Sequence, residues 1–158
     1  YFDIIDRKTG SLMAWCARVG GILPMPLDTA LARYGRLLGR AFQIADDLLD
    51  CALEGSVSGK SPGRDLQEGK LTLPVLLACD AQPSLRDQIR SVLGEQGVSQ
   101  EHALGILKAA SAVGGFDRAR QQALGFAESA VAELEVLPPS VFRDGLAALA
   151  YLAVDRVT

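Results

Sequence analysis

Three carboxylates stand close together in the run Phe42-Gln43-Ile44-Ala45-Asp46-Asp47-Leu48-Leu49-Asp50. At helical spacing Asp46 and Asp50 share one face. Two such groups about 6 Å apart repel by roughly 1 kcal/mol in water and several times more at a protein-like dielectric. A bound cation reverses that penalty. Ligands that are all oxygen, with no His or Cys among them, suit Mg²⁺, which keeps some of its waters and completes its shell with one or two carboxylates and substrate phosphates. An acidic, solvated helix face has the same spacing, so the run alone leaves both readings open.

Downstream, Gly59-Lys60-Ser61-Pro62-Gly63-Arg64-Asp65-Leu66-Gln67-Glu68-Gly69-Lys70-Leu71-Thr72-Leu73-Pro74 places two lysines directly after glycines. Glycine lets backbone approach a ligand, and lysine offers a point charge to phosphate. The string is not a Walker loop, since GxxxxGK[ST] and its preceding strand are absent. Without context Lys60 and Lys70 are also ordinary surface lysines, and Asp65 a turn residue. Near the start, Lys8-Thr9-Gly10 sets a cation, a hydroxyl and a small residue in mid-helix, where Thr and Gly are poor choices. Either something approaches the backbone there or two helices pack closely.

Apolar residues recur at helical spacing along nearly the whole chain, and no segment alternates with period two, so the class is all-α. A first helix runs from about Tyr1 to Val19 and stops at Gly20-Gly21, with Pro24 and Pro26 keeping the connection extended. The next starts with Asp28 as N-cap and carries Leu31, Tyr34, Leu38, Ala41, Phe42, Ala45, Leu48, Leu49 and Ala52 on one stripe. Glu54 to Gly69 is a loop inside a domain, because core-forming helices flank it. Thr72 caps a helix that has Pro74 in its first turn and ends near Cys79. Further helices span roughly Leu85 to Leu93, Gln100 to Val113, Phe116 to Leu134 and Val141 to Val157, separated by Gly94, Gly97, Gly114-Gly115 and Pro138-Pro139.

A length of 158 residues and 49% hydrophobic content fit one domain with a real core. Nineteen acidic against 16 basic residues give a net charge of -3 and no broad basic field for nucleic acid, so an anion site is local. No run reaches the ~20 apolar residues of a membrane span. Cys16, Cys51 and Cys79 lack metal spacing and read as reduced core thiols of a cytoplasmic protein. The chain opens on Tyr1 already inside a helical pattern, with neither Met nor a cap, which leads us to expect a portion upstream.

Several strings occur in a familiar order. They are Lys8-Thr9-Gly10 with Cys16 and Gly20-Gly21, Phe42-Gln43 with Asp46-Asp47-Leu48-Leu49-Asp50, Gly59-Lys60 with Gly63 and Asp65-Leu66, and Gly69-Lys70 with Thr72-Leu73-Pro74. In these the chain resembles the C-terminal half of the trans-isoprenyl diphosphate synthases, the polyprenyl synthetase family. The motifs cover residues 1–74, while beyond them only helical pattern and length agree; the tail around Leu134 to Arg156 looks most like the polyprenyl-forming members. The resemblance implies an isoprenoid synthase-type helical bundle around a central cavity, here incomplete, with residues 1–158 forming the C-terminal portion of a single domain.

It further implies Mg²⁺ at Asp46, Asp47 and Asp50, Asp65 behind them, and Lys8, Lys60 and Lys70 on the diphosphate of an allylic substrate. The Lys8 carbonyl, the Thr9 hydroxyl and the Gln43 amide oxygen would stabilise the allylic cation that isopentenyl diphosphate attacks. The family's first aspartate-rich motif lies in the N-terminal half, which would be the partner of this chain, and homodimers are the implied assembly. Released diphosphate takes the proton in this family, so the sole histidine, His102, is read as bland. Two rivals remain: a class I terpene cyclase, against which the Gly-Lys loop argues, and a non-catalytic fragment or subunit that acts as a structural partner.

Overall fold

The computed structural model describes residues 1–19, 27–52, 62–93 and 98–156, and every regular element among them is helical. The all-α expectation holds. Gly20, Gly21, Pro24, Pro26, Gly59, Lys60, Gly94, Gly97 and Val157 lie outside the described residues. From the N-terminus, α1 (Phe2–Ile5), a π-helical turn (Asp6–Gly10) and α2 (Ser11–Val19) follow without a break. Then come α3 (Leu27–Cys51), the one-turn α4 (Arg64–Gln67), α5 (Leu73–Ala81), α6 (Pro83–Val92) and α7 (Gln100–Ala112). α8 (Gly115–Glu133) runs into a 3₁₀ turn (Leu134–Val136), and α9 (Val141–Asp155) ends the described chain.

Local chemistry explains several of these starts. Proline stands in the first turn of α5 and of α6, where its missing N–H has no helical partner to lose. The hydroxyls of Ser99 and Ser140 accept the amide protons of His102 (3.3 Å) and Arg143 (3.2 Å), capping α7 and α9. Asp28 is not the N-cap expected of it. It lies within the first turn of α3, and Arg18 donates to its carboxylate at 2.6 Å. Thr72 is at the N-cap of α5 but makes no side-chain cap.

By its internal contacts the chain divides into two units, Tyr1–Ala45 with Gln121–Thr158, and Asp46–Arg120. In the first, α3 meets the N-terminal helix backbone to backbone. A Cβ on Gly39 would stand 2.8 Å from the Cα of Gly10, and one on Gly35 would strike the Met13 carbonyl. Ala41, Ala45, Ala123, Ala127, Ala130 and Ala150 are wholly buried, small side chains that let helices approach. Tyr34, 2% exposed, donates its hydroxyl to the Leu146 carbonyl of α9 at 2.9 Å. Cys16 is exposed, contrary to the core reading, because α2 turns Leu12, Trp15, Cys16 and Val19 outward together.

The second unit has its own apolar core, built by Cys51, Leu66, Val75, Ala78, Cys79, Leu85, Ile89 and Leu107 among others. Gly115 begins α8 where a Cβ would meet the Pro74 carbonyl at 2.5 Å, so this glycine is a packing requirement. Arg118 donates to the carbonyls of Gly114 and Leu77, tying the start of α8 to α5.

Candidate active-site residues on two units

The π turn contains Lys8, Thr9 and Gly10, the run whose helix propensity is poor. An extra residue in one turn widens the helix locally, a distortion frequent at functional sites. Two features hold it. Gly10 is buried against Gly39, and Arg40 donates two hydrogen bonds to Asp6, at 2.7 and 2.6 Å, from a guanidinium lying over the rings of Phe2 and Phe126. Arg40 holds the Asp6 carboxyl below its ordinary pKa despite the opposing effect of burial. With the turn so fixed, Thr9 donates its hydroxyl proton to the amide oxygen of Gln43 at 3.0 Å, and Gln43 is only 5% exposed. Lys8 is exposed on the same turn. Of the two readings of Lys8-Thr9-Gly10 the packing one is met at Gly10, which lies against Gly39, while Thr9 is engaged in a polar pair with Gln43.

In the second unit the three aspartates part company. Asp46 is exposed and Asp50 partly so, on the face their spacing assigns them, whereas Asp47 is 5% exposed. Among the described residues no three His, Cys, Asp or Glu side chains converge as a ready metal cluster. The donor set still fits Mg²⁺, which takes one or two carboxylates and fills its shell with water and phosphate oxygens. Asp50 is crowded: burial raises its carboxyl pKa, Asp65 and Glu68 push the same way, and the backbone amides of Asp65 and Arg64 oppose them.

Asp50 also docks the loop. Its carboxylate accepts the Asp65 amide proton at 3.1 Å, and its carbonyl accepts that of Gly63 at 2.8 Å. This places an anion at the start of α4. At the other end of α4, Gly69 (φ 77°) donates to the Leu66 carbonyl at 2.9 Å and Lys70 donates to the Asp65 carbonyl at 2.7 Å. These are the two bonds of a Schellman stop. Gly69 thus serves the backbone turn, which its left-handed φ requires. The turn folds the Lys70 ammonium back onto Glu68 (2.5 Å) and Asp65 (3.6 Å). Glu68, which has no distinctive spacing in the sequence, also receives Arg64 at 2.8 Å, and the two cations hold its carboxyl pKa at about 2. A glycine stop three residues after Leu66 was the available signal.

The structure thus brings together Thr9 with Gln43, and Asp50 with Asp65 and Lys70. Lys60 lies outside the described residues. Burial pushes the Cys51 thiol, next to Asp50, up to about 12, so it is inert. His102 is exposed and bonded to Ser99, in keeping with its bland reading.

A model of the polyprenyl synthetase family matches residues 1–110. The octaprenyl diphosphate synthase of Escherichia coli K12 is 40% identical over 99% of this chain and 49% of its own length. The nonaprenyl diphosphate synthase of Mycobacterium tuberculosis is 36% identical over 99% of the chain and 48% of its own. The crystal structure of polyprenyl synthase from Caulobacter crescentus, complexed with calcium and isoprenyl diphosphate, superposes on the whole chain and 49% of itself, with a TM-score of 0.89 at 32% identity. The chain spans about half the length of the relatives it matches, and it belongs to the polyprenyl synthetase family.

Proposed function

We propose that these 158 residues are the C-terminal, second-motif portion of a Mg²⁺-dependent trans-prenyltransferase. It would condense isopentenyl diphosphate with an allylic diphosphate into a longer polyprenyl diphosphate. The observation that carries the reading is the docking of the Gly-Lys loop on the aspartate helix, where Asp50 receives the Asp65 amide and Lys70 lies over Asp65. Kinship with octaprenyl and nonaprenyl synthases favours a long product. The first metal motif would come from a portion outside these residues, and the complete enzyme is proposed to be a cytoplasmic homodimer. Among the described residues no helix is long and apolar enough to cross a membrane.

Asp46 and Asp50 would hold the metal through carboxylate oxygens, with Asp47 and Asp65 behind them. Bound Mg²⁺ supplies the charge that lets the diphosphate leave. Lys8, Lys60 and Lys70 would add fixed positive charge to the departing group. Because the Thr9 hydroxyl gives its proton to Gln43, its lone pairs remain as a dipole for the allylic cation, and neither group is nucleophilic enough to trap it. No side-chain base is required if the released diphosphate takes the proton. The test is to combine the chain with an upstream half supplying the first motif and to assay prenyl transfer from labelled isopentenyl diphosphate. Turnover that Lys70→Gln lowers supports the reading; a folded complex with no turnover sinks it.

A further inference from the structure

The phosphate role of Lys70 leaves Glu68 unexplained. Its two carboxylate oxygens are divided, one on Arg64 at 2.8 Å and the other on Lys70 at 2.5 Å. That is how a phosphate group bridges two cations. The turn does not need these bonds, because the Schellman stop is closed by backbone and Leu66 anchors it, 2% exposed. The cations lie in solvent, with side chains 64% and 61% exposed, so the pairs are weak individually and open to exchange.

We propose that Glu68 is a built-in counter-anion that occupies Lys70 and Arg64 until a diphosphate displaces it, and that it thereby sets the selectivity of this loop for multiply charged anions. A monoanion offers Lys70 no more than Glu68 already does. A diphosphate, with several charges and many oxygens, outcompetes a single carboxylate. The inference rests on the reading of Lys70 as a diphosphate ligand.

The experiment follows acylation of each lysine of this chain in its complex with the upstream half by mass spectrometry, with Lys108 as internal reference, in increasing inorganic diphosphate or inorganic phosphate at fixed Mg²⁺. Glu68→Gln is expected to speed acylation of Lys70 without ligand, since its amine loses the partner that raises its pKa. It should also lower the half-protecting diphosphate concentration about three- to tenfold at low salt. The preference for diphosphate over phosphate should shrink in Glu68→Gln, and Glu68→Asp should restore part of it. A Glu68→Gln chain that protects Lys70 no better than wild type, or with unchanged preference, overturns the proposal while the phosphate role of Lys70 stands. If diphosphate protects Lys70 in neither protein, the phosphate role itself fails and the inference with it.

Discussion

Asp46 and Asp47 are adjacent in sequence and opposite in environment, so substitution should separate catalysis from stability. Asp46 is exposed, and Asp46→Ala is expected to lower turnover of the complete enzyme by orders of magnitude with Tm almost unmoved. Asp47 is 5% exposed and partnered, so Asp47→Ala removes a satisfied buried charge. A loss of about 1–3 kcal/mol follows, a fall of several degrees for a chain of this size. Turnover and thermal unfolding of both variants check this, and equal Tm losses would remove the distinction. Tyr34 gives a second case. Burial raises its phenol pKa to about 12, above the unfolded value of 10.0, so its neutral form is favoured by folding. Its contribution is complete below pH 10 and is lost as pH rises toward 12. Tyr34→Phe should therefore cost about 1 kcal/mol at neutral pH, through the lost bond to Leu146, and flatten the alkaline decline of stability between those limits.

Elements were the most legible level, because burial of one helical face dictates both period and length. The expected helices at Gln100 to Val113 and Phe116 to Leu134 match α7 and α8 within a residue or two. What the pattern could not convey is where helices touch backbone to backbone. Gly10, Gly35 and Gly39 carry no side chain to enter a periodicity count, yet their absent Cβ atoms fix the crossing of α3 on the N-terminal helix. Arg40, Asp6 and Phe126 were equally hidden, since only the fold brings residues this far apart in sequence together. The four residues of α4 are too few to show a period, so in sequence that turn has the pattern of a loop. Asp46, Asp50 and Lys70 stand out as candidates by type and spacing, whereas the bond from Asp65 to Asp50 has no signal in the sequence. The Gly crossing yields a prediction: Gly39→Ala puts a methyl against the Gly10 backbone, which has no side chain to yield. Such overpacking costs about 1–3 kcal/mol. It should also disturb the π turn, so that Gly39→Ala loses turnover beyond its loss of stability. Unfolding and kinetics of that variant, against the exposed control Gly145→Ala, provide the measurement, and wild-type values for both would remove the crossing as a constraint.

For the molecule as a whole the question is what covers its exposed apolar side chains. Ile4, Leu12, Trp15 and Val19 are 49–66% exposed, and Val141 and Phe142 at the start of α9 are 78% and 81% exposed. At roughly 25 cal/mol per Å², a few hundred Å² of such surface forgoes several kcal/mol, comparable with the stability of a domain. Patches of that kind are unusual on a soluble monomer. Since relatives are about twice as long, the proposed cover is the portion of the enzyme that these residues do not include. Trp15 is the sole tryptophan and stands 61% exposed among these side chains, which makes it a reporter. The chain alone should emit at the long wavelengths of a hydrated indole, or self-associate, and unfold with low cooperativity. Adding the upstream half should shift the emission to shorter wavelength, raise Tm and restore turnover at the same stoichiometry. A monodisperse chain that melts cooperatively, turns over substrate unaided and shows no Trp15 shift on addition of that half would refute the incompleteness on which the proposed function depends.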